Sequence, residues 1–187
     1  TVTGVQRSAL PLQRHRPDPA QLYFSPAALQ AMARRFQAGF GGLVTCAVKA
    51  NPSEEVLANL VAAGITAFDV ASPREMQAVR AVCGDAVLHY NNPVRSRDEV
   101  AVARAFGVAS CSVDCARELE KLECLPRATE IAVRLALPVP GAAYDFGDKF
   151  GLEPKRSAVL LRQVAERGCV PAITFHPGTQ CGDPGPW

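Results

Sequence analysis

The sequence has no stretch of about 18 uninterrupted apolar residues, so no part of it is expected to cross a bilayer as a helix. Its opening, TVTGVQRSALPLQRHRPDP, lacks the continuous apolar core of a signal peptide, and the expected location is the cytoplasm. Charge of one sign is also missing: 20 Lys and Arg stand against 18 Asp and Glu, and the basic residues are scattered rather than gathered. That removes the electrostatic footprint of a nucleic-acid binder and points to a small-molecule partner. Seven cysteines make an odd count with no C-x-x-C pair, and only three histidines, His15, His89 and His176, are present, far apart in sequence. Disulfide frameworks and structural zinc are therefore disfavoured, and no metal site is expected. Most of the cysteines should behave as small buried hydrophobes; Cys181, in a Gly-rich loop, stays open.

What is present is a 187-residue chain, 48% hydrophobic, enough to build one buried core. Residues 1–21 are a proline-containing lead-in with little periodicity. Beyond them, short apolar runs alternate with helical patterns. QLYF precedes SPAALQAMARRFQ, GLVTCAVKA precedes SEEVLANLVAAG, TAFDVA precedes SPREMQAVRAVCG, and AVLHY precedes SRDEVAVARAFG. VASCSV is followed by DCARELEKL, EIAVRLAL by a long loop and PKRSAVLLRQVAERG, and PAITFH by a Gly/Pro-rich tail. Helix starts are signalled at Ser53 with Glu54 and Glu55, at Ser72 with Pro73 and Glu75, and at Asp114; helix ends are signalled at Gly64, Gly84, Gly107 and Gly168. Strands alternating with helices predict a parallel α/β sheet, closed either as an open doubly wound sheet or as a (β/α)8 barrel. No G-x-G-x-x-G follows the first run, which favours the barrel.

Parallel sheets place working residues where strands end and loops begin. Lys49 ends the second run, Asp69 the third, Asn91 and Asn92 follow the fourth, Arg134 lies in the sixth, and His176 ends the seventh. These residues should converge. A lysine leaving a strand of Val and Ala is expected to be partly desolvated, which with neighbouring cations makes an amine nucleophilic. Moving it from about 10.4 to roughly 7 or 8 takes about 4 kcal/mol of destabilised ammonium.

TCAVKAN, followed by AFDVASPREMQAV, YNNPVR, EIAVRLAL, DFGDKFG and FHPGTQCGDP in that order, resembles the fold-type III pyridoxal-phosphate decarboxylases, the group of ornithine, lysine and diaminopimelate decarboxylases built on an alanine racemase-like barrel. The resemblance runs from about Leu22 to Pro184 and implies that residues 22–187 form part of such a barrel. It implies that Lys49 holds pyridoxal 5'-phosphate as a Schiff base and returns a proton to the substrate carbon after carbon dioxide leaves. His176 would stack on the cofactor ring, Arg134 and Asp69 would surround the cofactor and lysine, and Thr179 with the Gly178 amide would lie near the phosphate. Glu75 matches an acidic position of the family, although its place in the first turn of a helix already accounts for a carboxylate. Lys149 in DKFG matches another family position and is expected to be solvated or to shield substrate. Pro177 departs from the valine common after the histidine, deleting a backbone N–H.

The same resemblance places the family's Gly-rich phosphate loop, the carboxylate facing the ring nitrogen, and the C-terminal β-domain beyond Trp187. The expected activity is decarboxylation of L-ornithine or L-lysine, as in polyamine biosynthesis, in a homodimer or with a companion chain completing the barrel. Other readings stay open: a catalytically incomplete relative acting as a binding or regulatory partner, a diaminopimelate decarboxylase, or an amino-acid racemase.

Overall fold

The computed structural model describes residues 23–137, 149–176 and 178. Ser25 opens the first helix, α1 (Pro26–Gly39), by accepting a hydrogen bond from the Ala28 amide. Five βα steps and a sixth strand follow among the described residues: β1 (Cys46–Ala47), a 3-10 turn (Val48–Ala50), α2 (Glu54–Ala62), β2 (Ala67–Val70), α3 (Pro73–Val82), β3 (Val87–Tyr90), α4 (Arg97–Ala105), β4 (Ser110–Val113), α5 (Ala116–Lys121), β5 (Glu130–Arg134), α6 (Pro154–Glu166) and β6 (Val170–Thr174). A second 3-10 turn, Leu122–Cys124, extends α5.

The strand order decides between the two closures left open by the sequence. All described pairings are parallel, and spatial order equals chain order, β1-β2-β3-β4-β5-β6. A doubly wound sheet reverses direction at a switch point; this one never does, so its crossovers all wind the same way and lay their helices on a single face, as in a barrel.

Period-2 alternation sorts the strand residues accordingly. Phe68 and Val70, Leu88 and Tyr90, Cys111 and Val113, and Ile131 and Val133 point outward and are almost fully buried against the helices. They join Leu57 and Leu60 of α2, Met76 and Val79 of α3, Val100 and Ala103 of α4, Leu119 of α5, and Leu160 and Val164 of α6 in one continuous core. At roughly 1.5–3 kcal/mol per buried large side chain, this layer supplies most of the stabilising free energy. The inner face carries Asp69, His89, Ser110, Ser112, Ala132 and Arg134 instead, so the polar residues are segregated on the opposite side from the core.

Several local expectations are corrected. The described part of QLYF, Tyr23 and Phe24, is not a strand; it runs directly into the Ser25 cap. GLVTCAVKA contributes only two strand residues, because the Asn51 amide turns back to the Val48 carbonyl at 3.1 Å and closes a 3-10 turn. Asp114 does not cap α5, whose N-cap is Cys115; the Asp114 carboxylate instead accepts from the Gly151 amide at 3.4 Å. Gly64, Gly107 and Gly168 end helices with positive φ, but α3 stops in extended backbone at Cys83 and Gly84 plays no such part. Cys111 is buried as expected, whereas Cys115 and Cys124 are exposed on the α5 segment. All six described cysteines are free thiols, and among the described residues no cluster could hold a metal and no helix is long and apolar enough to cross a membrane.

Candidate functional site

The inner face gathers its polar side chains at the carboxyl ends of the strands. Lys49 sits on the 3-10 turn just past β1, raised on the buried Val48. Asp69 lies in β2 opposite Ala47, and its carboxylate is hydrogen-bonded to the Asn91 side chain just past β3. Burial pushes the Asp69 pKa up, while Asn91, the nearby Lys49 ammonium and His89 pull it back down. Asp69 in turn joins burial in raising the Cys46 thiol.

Glu75 serves the start of α3. Its amide donates to Ser72 Oγ at 3.4 Å, and its carboxylate accepts from the Ala71 amide at 2.9 Å, a reciprocal arrangement shifted by one residue from a standard capping box. It also lies close enough to Asp69 to raise that carboxyl further. The capping reading and the site reading of Glu75 are thus compatible: one carboxylate holds the β2–α3 turn and borders the site. Asn92 supports the same turn by donating to the Ala71 carbonyl at 3.3 Å.

Across the sheet, Arg134 ends β5 with its guanidinium 5.4 Å from the Phe150 ring centroid. Burial lowers its pKa and Asp114 opposes the shift. Lys149, exposed, lies over the same ring at 5.4 Å, so Phe150 gathers two cations near the mouth of the barrel. The chain returns to β5 here by a close approach. Gly151, at φ +110, would place a Cβ 2.8 Å from the Ala136 nitrogen, a space no side chain can share.

His176 follows β6 and is exposed; its Nδ1 accepts from the Gly178 amide at 3.0 Å. Burial of the ring, then the Arg134 and Lys49 charges, lower its pKa. A neutral imidazole with Nδ1 as acceptor fits that environment. Gly178 is buried with φ +98, so glycine is needed for the turn that brings its amide back to the histidine. Thr179, and Cys181 with it, lie outside the described residues.

The influence of Lys49 on both Asp69 and His176 is the telling feature. Lys49 follows the first strand and His176 the last, at opposite edges of the sheet. In a flat sheet of six strands, about 4.8 Å per spacing would hold these edges about 24 Å apart, beyond the Debye length of about 8–10 Å. Parallel strands in chain order, with every crossover helix on one face, curl instead and turn their inner face around one space.

Lys49 is exposed rather than partly desolvated as the sequence suggested. The described strands line only part of the space around it, and the strand expected to carry it gives way to a turn that lifts it off the wall. The residues lining that space nevertheless suit a polar ligand. Asp69 Oδ1, His89 Nε2 and Ser112 Oγ are buried on the inner face without protein hydrogen-bond partners, a costly state that polar groups of a ligand or water relieve. His89, Ser110 and Phe150 are the site residues that sequence reasoning passed over. Alternation along AVLHY could have put His89 on the inner face, but its alignment with Asp69 depends on strand register, which one sequence does not reveal.

Comparisons with known proteins identify the family and the fold. The family described as the pyridoxal binding domain of pyridoxal-dependent decarboxylases matches residues 27–187. Ornithine decarboxylase of Panagrellus redivivus is 34% identical over 140 residues, 74% of this chain and 32% of that protein. Lysine/ornithine decarboxylase of Selenomonas ruminantium is 31% identical over 136 residues, 72% of this chain and 34% of that protein. Lysine/ornithine decarboxylase from Vibrio vulnificus, solved with putrescine, superposes with a TM-score of 0.78 at 22% identity, covering 99% of this chain and 48% of that one; it shows the shared fold. The chain spans about a third of the length of these curated relatives.

Proposed function

Since the chain belongs to the pyridoxal-dependent decarboxylase family, as part of its pyridoxal binding domain, we propose that Lys49 is the cofactor-holding amine of an enzyme that decarboxylates L-ornithine or L-lysine. The observation that carries this reading is the inner wall of buried, unpartnered polar atoms, Asp69 Oδ1, His89 Nε2 and Ser112 Oγ, on the strands that follow the Lys49 turn. When bound, pyridoxal 5'-phosphate supplies the electron sink for the electrons left by departing carbon dioxide.

The chain's own residues divide the remaining work. Lys49 is held at the rim by a backbone turn and is exposed, so its amine can exchange with a substrate amine and carry a proton to and from the reacting carbon. Asp69 lies near that amine with a carboxylate steadied by Asn91, and so orients the lysine. His176, neutral and pinned by the Gly178 amide, presents its ring as a flat surface for a heteroaromatic cofactor. Arg134 holds positive charge on the far side, where Phe150 and Asp114 fix its position. The Gly178 amide, already engaged with His176, and Thr179 are assigned to the phosphate end, and Lys149 to the rim over the substrate. A basic amino acid is the proposed substrate because the relatives named for ornithine and lysine decarboxylation match over nearly three quarters of this chain. The exposed Val170, Ile173 and Phe175 at the β6 edge are assigned to contact with further polypeptide, either more of the same chain or a second subunit.

The test is covalent trapping. Purified protein is mixed with pyridoxal phosphate, reduced with borohydride, and mapped by peptide mass, with Lys49→Ala alongside. A single pyridoxyl adduct at Lys49, absent from the variant, supports the assignment. An adduct spread over surface lysines removes Lys49 from the role. For the substrate, the protein encoded by the full reading frame is assayed for carbon dioxide release from ornithine and lysine, and release from neither overturns that part.

A further inference from the structure

Asp69 and His89 face each other on the inner wall. They are register partners on the adjacent strands β2 and β3, and His89 is in turn the partner of Ser110 on β4. All three therefore lie on one rung of the sheet, pointing away from the core. Ser110 is buried, and its Oγ is 2.7 Å from His89 Nδ1, so one ring nitrogen is committed to the serine. The other, His89 Nε2, is buried with no partner, and so is Asp69 Oδ1 on the neighbouring strand. Two adjacent buried orphans of complementary chemistry, an imidazole nitrogen and a carboxylate oxygen, are more than two separate defects. With the proton on the nitrogen, a bridging water or a small side-chain shift is enough for them to satisfy each other.

From this geometry we infer that Ser110, His89 and Asp69 act as a relay on one rung of the wall. Ser110 donates to Nδ1 and fixes the ring, and His89 Nε2–H is presented to the Asp69 carboxylate, directly or across one water, keeping it charged and aimed at Lys49. His89 and Ser110 are positioning residues, acting on the lysine only through Asp69. The opposite tautomer would set a bare nitrogen lone pair against a carboxylate oxygen, which is repulsive, so the neighbouring acid selects the tautomer in which Nδ1 accepts from the Ser110 hydroxyl.

The electrostatic setting gives the relay something to do. Burial drives the Asp69 carboxyl toward its neutral form, and Glu75, packed from α3, adds to that pressure. Cys46 of β1 also lies within range of the acid. Asn91, Lys49 from the turn after β1, and His89 from β3 oppose it. His89 is itself backed by a second residue, Ser110, that fixes its orientation. The inference rests on Lys49 being the reactive amine, because only then does a charged partner at Asp69 matter to function.

The experiment uses the chain without cofactor, labelled with carbon-13 at aspartate carboxyls, and follows the Asp69 resonance by NMR across pH, assigned by its loss in Asp69→Asn. Compared with the unaltered chain, His89→Leu should raise the Asp69 midpoint by about one pH unit, a tenfold change in proton affinity. His89→Gln, which keeps an N–H donor, should recover part of that shift. Ser110→Ala removes only a hydroxyl and should raise the midpoint by a smaller amount, roughly a third to half a unit, so it decides the matter should His89→Leu fail to fold. A midpoint unmoved in Ser110→Ala and in whichever His89 variants fold overturns the relay. The borohydride adduct at Lys49 is measured on the same samples: a normal adduct with an unmoved Asp69 removes the relay alone. A shifted Asp69 without an adduct removes the cofactor assignment and leaves the relay as a structural pairing.

Discussion

Replacing Gly151 by alanine should be among the most damaging single-methyl changes in the chain. The added Cβ would lie 2.8 Å from the Ala136 nitrogen, 3.0 Å from the Leu135 carbonyl carbon and 3.2 Å from the Ala136 Cα, and all three are backbone atoms that cannot swing aside. The residue also sits at φ +110, where an L side chain is strained whatever the space around it. Backbone strain of about 1–3 kcal/mol and overpacking of about 1–3 kcal/mol together give a loss of roughly 2–6 kcal/mol. Urea denaturation reads this directly. With a slope of about 2–3 kcal/mol per molar for a chain of this size, the midpoint should fall by about 1–3 M. Gly39→Ala is the control, since nothing lies within 4 Å of its added Cβ and it ends a helix, so its midpoint should stay or rise slightly. Equal midpoints for Gly151→Ala and Gly39→Ala would refute the close-approach argument. The loss should also be local in its consequences: the Leu135–Leu152 bridge and the Arg134–Phe150 contact sit on either side of the clash, so trapping of pyridoxal phosphate at Lys49 should survive better than any property that depends on Arg134.

Further expectations concern charge and packing. His176 has a folded-state pKa below its ordinary 6.5, so the folded chain binds fewer protons than the unfolded one and loses stability as pH falls through and below that range. His176→Gln should therefore unfold less readily than the unaltered chain at about pH 5 and match it above about pH 7, and parallel curves would contradict the shift. Asp69 is raised instead, so the folded chain holds its proton longer and its ionisation costs stability above the folded pKa. Asp69→Asn should gain stability at neutral pH but not below the unfolded value near 3.8, while slowing cofactor trapping; thermal melts at the two pH values check the sign. Leu57→Ala, in a fully buried site of α2, should cost about 2–5 kcal/mol in urea with no change in which lysine is trapped.

Much of the architecture was legible in the chain. Every described helix lies where apolar spacing put it, and Lys49, Asp69, Arg134 and His176 do fall at or just past strand ends. What pattern could not supply was anything that depends on neighbours in space. The choice between barrel and open sheet waited on strand order, since both closures share the same alternation. The second run looked like a long strand because Leu43, Val44 and Val48 are apolar, yet Leu43 is exposed and the backbone turns after Ala47. Asp114 has the chemistry of a helix cap but spends it on Gly151, a residue distant in sequence. The His89–Ser110 pair was invisible for the same reason: a histidine and a serine in two different apolar runs become partners only once β3 and β4 are set in register.

A sheet in which spatial neighbours are also chain neighbours contains no long cross-link of its own. Each unit leans on the next, and the first and last meet only around the central space. A ligand covalently attached at Lys49 and gripped by His176 would close a loop through most of the chain, and loops of that length cost an unfolded polymer several kcal/mol of entropy to close. The ligand would then act as a clasp as well as a reagent. Amide hydrogen exchange should show this as slowed opening at both outer strands together, with little change in the middle of the sheet.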